Sequence, residues 1–109
     1  MHKGSIILTP FPFTDLSGHK VRPALVLHDQ KAGEDCIVAF ISSVTRGKTG
    51  SYDVPAVPSE HNGLKADSVI KVNKIATLQK KIALGELGIL EQSILIEVDK
   101  RLRNLFKLA

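Results

Sequence analysis

Ala24-Leu25-Val26-Leu27, within Pro23 to His28, and Ile37-Val38-Ala39-Phe40-Ile41, within Cys36 to Ser43, are two short apolar runs separated by a polar stretch that holds Asp29, Gly33 and Asp35. Neither run alternates apolar with polar residues, so each fits a strand covered on both faces rather than one with a wet side. They are the expected central strands. Outward from them, Ser5 to Phe13, Ser51 to Ala56, Ser68 to Val72 and Ile75 to Leu78 are further Val- and Ile-rich segments broken by Gly, Pro, Asp and Ser. Short strands recurring at roughly ten-residue intervals predict a small all-β barrel or sandwich. From Glu91 the period changes: Ile94, Leu95, Val98, Leu102, Leu105 and Phe106 share one helical stripe, with Glu97, Lys100, Arg101, Arg103 and Lys107 opposite. A C-terminal helix packing that stripe onto the sheet is expected, its late basic residues suiting the negative end of the helix dipole. No repeat or linker divides residues 1–109, so one domain is expected.

The chain has 109 residues and is 43% hydrophobic, enough for a single core. Lys and Arg number 15 against 11 Asp and Glu, a formal charge of +4 that favours a polyanionic partner modestly, since many basic domains only carry solvated lysines. A single cysteine, Cys36, excludes an internal disulfide and a Cys-rich metal site, and its apolar neighbours make it a buried structural thiol. At the N-terminus Ile6-Ile7-Leu8 soon meets Pro10 and Pro12, too short a run for a signal peptide or a membrane span. A cytoplasmic protein without a membrane partner is expected.

His2, His19, His28 and His61 are scattered without metal-ligand spacing, and no Gly-rich phosphate loop or serine elbow appears. No metal or cofactor is therefore expected. RNA, however, can attack itself through its 2′-hydroxyl, and an enzyme then needs only to align the strand, take a proton and stabilise charge on the phosphate. Arg22, at the entry of a strand from a polar loop, has the planar fork suited to the last task. On position alone, an ordinary strand-end surface residue is the preferred reading. Ser42, at the end of the other central run, is placed to aim a hydroxyl at a phosphate oxygen, or simply to bond its own loop backbone.

Gly4 to Leu8, Pro10-Phe11-Pro12-Phe13-Thr14-Asp15-Leu16, Arg22 to Leu27, Ile41-Ser42-Ser43, Gly63-Leu64, Asp67-Ser68-Val69-Ile70 and Lys74-Ile75-Ala76-Thr77-Leu78 occur in one order across the chain. That ordered set resembles the MazF/PemK family of toxins. The resemblance implies an SH3-like β-barrel with a terminal helix and a two-fold homodimer binding single-stranded RNA across its interface. It also implies a partly disordered antitoxin as partner, with operator DNA reached only through that antitoxin. On the family's pattern Arg22 and Ser42 carry cleavage, Ser43, Thr45 and Arg46 line the RNA groove, and Asn73 and Lys74 resemble base-reading positions. The basic loop exit adds Lys20 as an RNA contact, and Phe11, Phe13 and Tyr52 are the aromatic candidates for base stacking, with core packing the preferred role for the two phenylalanines.

Two positions depart from the family's pattern. Ser5 stands where relatives often carry Asp, and the loop before Arg22 reads Ser17-Gly18-His19-Lys20 where some relatives have a glutamate able to move a proton. His19 is the candidate substitute, with a phosphate contact or plain solvation as the other reading of it. The resemblance also keeps two other classes open: a gyrase-poisoning toxin of the same fold, and a catalytically silent member that only binds antitoxin and DNA.

Overall fold

The two apolar runs form the middle of an antiparallel sheet. In the computed structural model, which describes residues 1–11, 20–43 and 50–109, the strands are β1 (Ser5–Phe11), β2 (Lys20–Asp29), β3 (Asp35–Ser43), β4 (Asp53–Ala56), β5 (Ser68–Gln79) and β6 (Gly85–Ile89), followed by helix α1 (Gln92–Phe106). They pair in the order β4-β5-β3-β2-β1-β6. The ladders shift register between Ile6 and Ile7, Val26 and His28, and Ala39 and Phe40. Such bulges bend and twist a sheet, and this one curls into a half-barrel. The mainly β expectation with a terminal helix holds.

Curling gives each central strand two buried faces. Leu25, Ala39 and Ile41 point into one core with Ile6, Ile70 and Val72, and α1 closes it with Leu95 and Val98. Ala24, Val26, Cys36 and Val38 point into a second core with Ile7 and Leu78, flanked by Ile82 and Ala83. The absence of alternation in both runs is the sequence trace of these two cores.

The structure corrects three expectations. Ser68 to Val72 and Ile75 to Leu78 are one strand, β5, because the polar pair Asn73-Lys74 sits in a bulge and does not end it. β6 was not anticipated: Gly85-Glu86-Leu87-Gly88-Ile89 has no apolar run, and it is held as an edge strand by pairing with β1. On α1, Leu95 and Val98 are buried and Ile94 and Leu102 pack beside them, but Phe106 is exposed. At about 100° per residue Phe106 shares the angular position of Leu95 and Leu102. Its exposure thus reflects distance along the axis, at the last residue before Lys107 ends the helix in the left-handed region (φ 56°).

The crossing from β4 to β5 is tied to the start of α1 through buried Asn62. Its Oδ1 accepts from the N–H groups of Ser59 (3.1 Å) and Leu64 (2.9 Å), and its Nδ2 donates to Val57 O (2.9 Å) and Glu91 Oε1 (3.0 Å). Ser59 Oγ donates to Glu91 Oε2 at 2.8 Å. Burial pushes the Glu91 carboxyl up, but these bonds outweigh it and hold the group below its ordinary value. Gly63 (φ 71°) permits the turn, since a Cβ there would lie 2.2 Å from Leu87 O.

Candidate functional site

β2 approaches the site through Arg22, which pairs with Thr9 of β1; buried Thr9 donates from Oγ1 to the Arg22 carbonyl at 3.2 Å. The β2–β3 ladder runs from Asp29↔Cys36 to Ala24↔Phe40. Next along β2 is Pro23, which has no N–H to donate. The ladder stops there, and beyond it the continued register sets Arg22 opposite Ser42. Side chains two apart share a face, so Arg22, Ser42 and Phe40 look the same way.

β5 supplies the other wall. It pairs Val69 with Ser42 and Lys71 with Phe40, after which Val72, Asn73 and Lys74 have no partner in β3 before Ile75 meets Ala39. Val72 turns into the core and donates its N–H to Tyr52 O at 3.0 Å, while Asn73 and Lys74 face solvent. The result is a pocket of about 170 Å³ lined by Thr9, Arg22, Pro23, Phe40, Ile41, Ser42, Lys71 and Lys74. Whole small molecules usually occupy about 300–1,000 Å³, so this one suits a single group of a larger ligand.

The pocket gathers three cations. Arg22 is half-buried, and neither it nor Lys74 has an ion-pair partner among the described residues. Lys71 is paired: its Nζ lies 2.9 Å from Asp53 Oδ2, which also accepts the Gly50 N–H at 2.7 Å. Burial pushes the Asp53 carboxyl up, but the Gly50 bond, the Lys71 bond and charge, and the Lys74 charge bring it below its ordinary value. The Ser42 hydroxyl makes no hydrogen bond to the described residues. A half-buried guanidinium fork, a hydroxyl without a hydrogen bond among the described residues and two ammonium groups around one concavity can donate to the oxygens of an anionic ligand.

Of the residues expected from sequence, the structure brings Arg22, Ser42 and Lys74 to the same pocket. Asn73 is exposed beside it on the bulge, Ser43 is exposed opposite Ser68, and Lys20 is exposed at the start of β2; none of the three lines it. His19, Thr45 and Arg46 lie outside the described residues, as do Phe13 and the side chain of Phe11. Tyr52 packs against the core, and among the described residues the aromatic ring at the pocket is Phe40. Ser5, one of the two departures, is fully buried and accepts the His2 N–H at 3.0 Å, which braces the N-terminal turn. Sequence reasoning missed Lys71, Asp53 and Thr9. For Lys71 a signal existed, a lysine set inside the otherwise apolar Val69-Ile70-Lys71-Val72.

The profile of the PemK-like, MazF-like toxins of type II toxin–antitoxin systems matches residues 2–106. The chain belongs to this family. Among relatives of this PemK/MazF-type toxin, endoribonuclease MazF6 of Mycobacterium tuberculosis (strain ATCC 25618 / H37Rv) is 29% identical over 92 residues, which are 82% of this chain and 81% of that one. Endoribonuclease MazF2 of Mycobacterium bovis gives the same values. In fold, the toxin superposes on an endoribonuclease in complex with its cognate antitoxin from a mycobacterial species with a TM-score of 0.79 at 16% identity, covering 100% of this chain and 97% of that one. It superposes on the MazE–MazF crystal structure from Deinococcus radiodurans (form III) with a TM-score of 0.78 at 23% identity, covering 100% and 98%.

Proposed function

We propose that this toxin is an endoribonuclease that cuts single-stranded RNA sequence-selectively and without a metal, through attack of a 2′-hydroxyl on the adjacent phosphate. The observation that carries the reading is the meeting of Arg22 and Ser42 at one pocket, Arg22 without an ion-pair partner and the Ser42 hydroxyl without a hydrogen bond among the described residues. The relatives named as endoribonucleases support it. The 2′-oxygen forms a new bond to phosphorus as the bond to the departing 5′-oxygen breaks, leaving a 2′,3′-cyclic phosphate and a 5′-hydroxyl. Arg22 donates its fork to the non-bridging oxygens, where negative charge grows in the transition state. Ser42 donates to a phosphate oxygen and fixes the linkage in line. His19 moves the proton. Lys20, Ser43, Thr45 and Arg46 hold the strand, and Asn73 and Lys74 at the bulge meet splayed bases.

The toxin acts as a cytoplasmic homodimer and is held inactive by a cognate antitoxin, as the antitoxin complex of its mycobacterial structural relative suggests. Among the described residues no helix is long and apolar enough to cross a membrane. The test is a labelled single-stranded RNA incubated with the purified protein. Cutting is expected to persist in a chelator, to vanish when the cut-site 2′-hydroxyl is replaced by hydrogen, and to fall by about 10²-fold or more for Arg22→Ala with its melting temperature kept. Continued cutting of the deoxy substrate would overturn the mechanism.

A further inference from the structure

The Lys71–Asp53 pair is placed for more than stability. Lys71 lies inside a strand whose neighbours Ile70 and Val72 are fully buried, and its own side chain is only 32% exposed. Asp53 is 8% exposed. A buried ion pair is weak evidence for stability, since apolar residues of similar volume commonly serve as well. Its value here lies in where it puts a charge.

Two same-face rows of side chains cross the sheet. One runs Thr9–Arg22–Ser42–Val69–Pro55 and the next Ile7–Ala24–Phe40–Lys71–Asp53, with the Arg22–Ser42 step taken from the continued register. Same-face rows are about 6.7 Å apart, and β5 lies two strands, about 10 Å, from β2. Asp53 is on β4, on the far side of β5 from β2, so its carboxylate draws the Lys71 ammonium away from Arg22. Lys71 nevertheless lines the Arg22–Ser42 pocket. An ammonium has three donors and Asp53 occupies one.

From this we infer that Lys71 contacts the phosphate flanking the one held by Arg22, and that Asp53 is the positioning residue that aims it. Asp53 is itself fixed by the Gly50 N–H, so the ammonium is anchored at one end and open to the pocket at the other. A polyanion with regularly spaced charges thereby meets two cations on two rows of one rigid wall, and the strand is set in register over Ser42. The inference rests on the ribonuclease reading and extends it.

The test uses an uncleavable RNA, deoxy at the cut site, bound by the wild type, Lys71→Met, Lys71→Arg and Asp53→Asn, each checked by thermal melting. Each phosphate contact on a single strand contributes about 0.7 to the slope of log affinity against log salt. Lys71→Met is expected to lower that slope by about 0.7 and to weaken binding roughly tenfold at low salt, the scale of one lost charge-assisted bond. With cleavable RNA it should raise KM by a larger factor than it lowers kcat, because a flanking contact is made in ground and transition states alike. Lys71→Arg should restore the slope.

For position, each flanking linkage in turn is replaced by a neutral methylphosphonate. One replacement should weaken wild-type binding sharply and leave Lys71→Met unaffected. Asp53→Asn should retain the salt slope but lose that preference for a single linkage. A Lys71→Met protein with the wild-type slope and the wild-type linkage preference overturns the contact, and a preserved preference in Asp53→Asn overturns the positioning. If the wild type neither binds nor cuts RNA, the ribonuclease reading fails as well; if it cuts and only these variants are silent, that reading stands and this inference falls.

Discussion

Arg22 supplies charge at the site but cannot supply every proton transfer that the reaction needs. A guanidinium keeps its proton throughout the working range of an enzyme, so it stabilises anions and does not accept protons at neutral pH. The Ser42 hydroxyl is able to donate and accept hydrogen bonds but is no base on its own. In the proposed mechanism the remaining task is assigned to His19, three residues before Arg22 in sequence. An imidazole with an ordinary value near about 6.5 changes charge within the working range of an enzyme. If His19 takes the 2′-hydroxyl proton, kcat should fall as pH drops through that region, and His19→Gln should abolish this limb of the profile and lower kcat by about 10²-fold. Cleavage rates measured from pH 5 to 9 for both proteins decide it. Profiles of the same shape would remove His19 from the mechanism.

At the scale of elements, the join between the β4–β5 crossing and α1 is the place where one side chain holds most. Asn62 satisfies two backbone N–H groups, one carbonyl and the Glu91 carboxylate. Asn62→Ala strands these groups in a buried setting and should cost about 2–4 kcal/mol, read as a lower denaturant midpoint. Glu91 is held below its ordinary value of 4.5 when folded. A depressed carboxyl stabilises the fold above its unfolded value and loses that contribution as pH falls through the folded one. Stability should therefore decline below about pH 4.5, and the decline should be shallower in Glu91→Gln; parallel acid-unfolding curves would remove this role for Glu91. The elements themselves were unequally legible from sequence. β2 and β3 announce themselves because burial on both faces leaves unbroken apolar runs. β6 does not, since an edge strand of Gly85-Glu86-Leu87-Gly88-Ile89 is defined by its partner β1 and not by its composition. β5 looked like two strands because Asn73 and Lys74 are a bulge, and a bulge is visible only in register. That Arg22 and Ser42 share a pocket is legible through family resemblance and strand ends. Asp53 was not, because its contact with Lys71 spans eighteen residues and depends on which residues of β4 and β5 face each other.

For the molecule as a whole, the radius of gyration of 13.3 Å equals what a chain of this length reaches when packed as one body, about 13 Å. Its two cores share the same central strands, so neither can open alone without exposing the other: Leu25 and Ala39 serve one, Ala24, Val26 and Val38 the other. Cys36 sits in the second core at 1% exposure and is the only thiol in the chain. Burial, then the nearby Asp29 charge, push its pKa above the ordinary thiol value, so the native state holds it both covered and protonated. Only the thiolate reacts with disulfide or alkylating reagents. Modification of Cys36 should then require the global opening that exposes both cores, and its rate should follow the unfolded fraction. Labelling by a thiol reagent at pH 8 is expected to be slow in buffer, to rise with denaturant along the same slope as the unfolding transition, and to be faster in Asn62→Ala, whose only connection to Cys36 is through the stability of the whole. Rapid labelling in buffer, independent of denaturant, would show that the second core opens locally and that the two cores are not one cooperative unit.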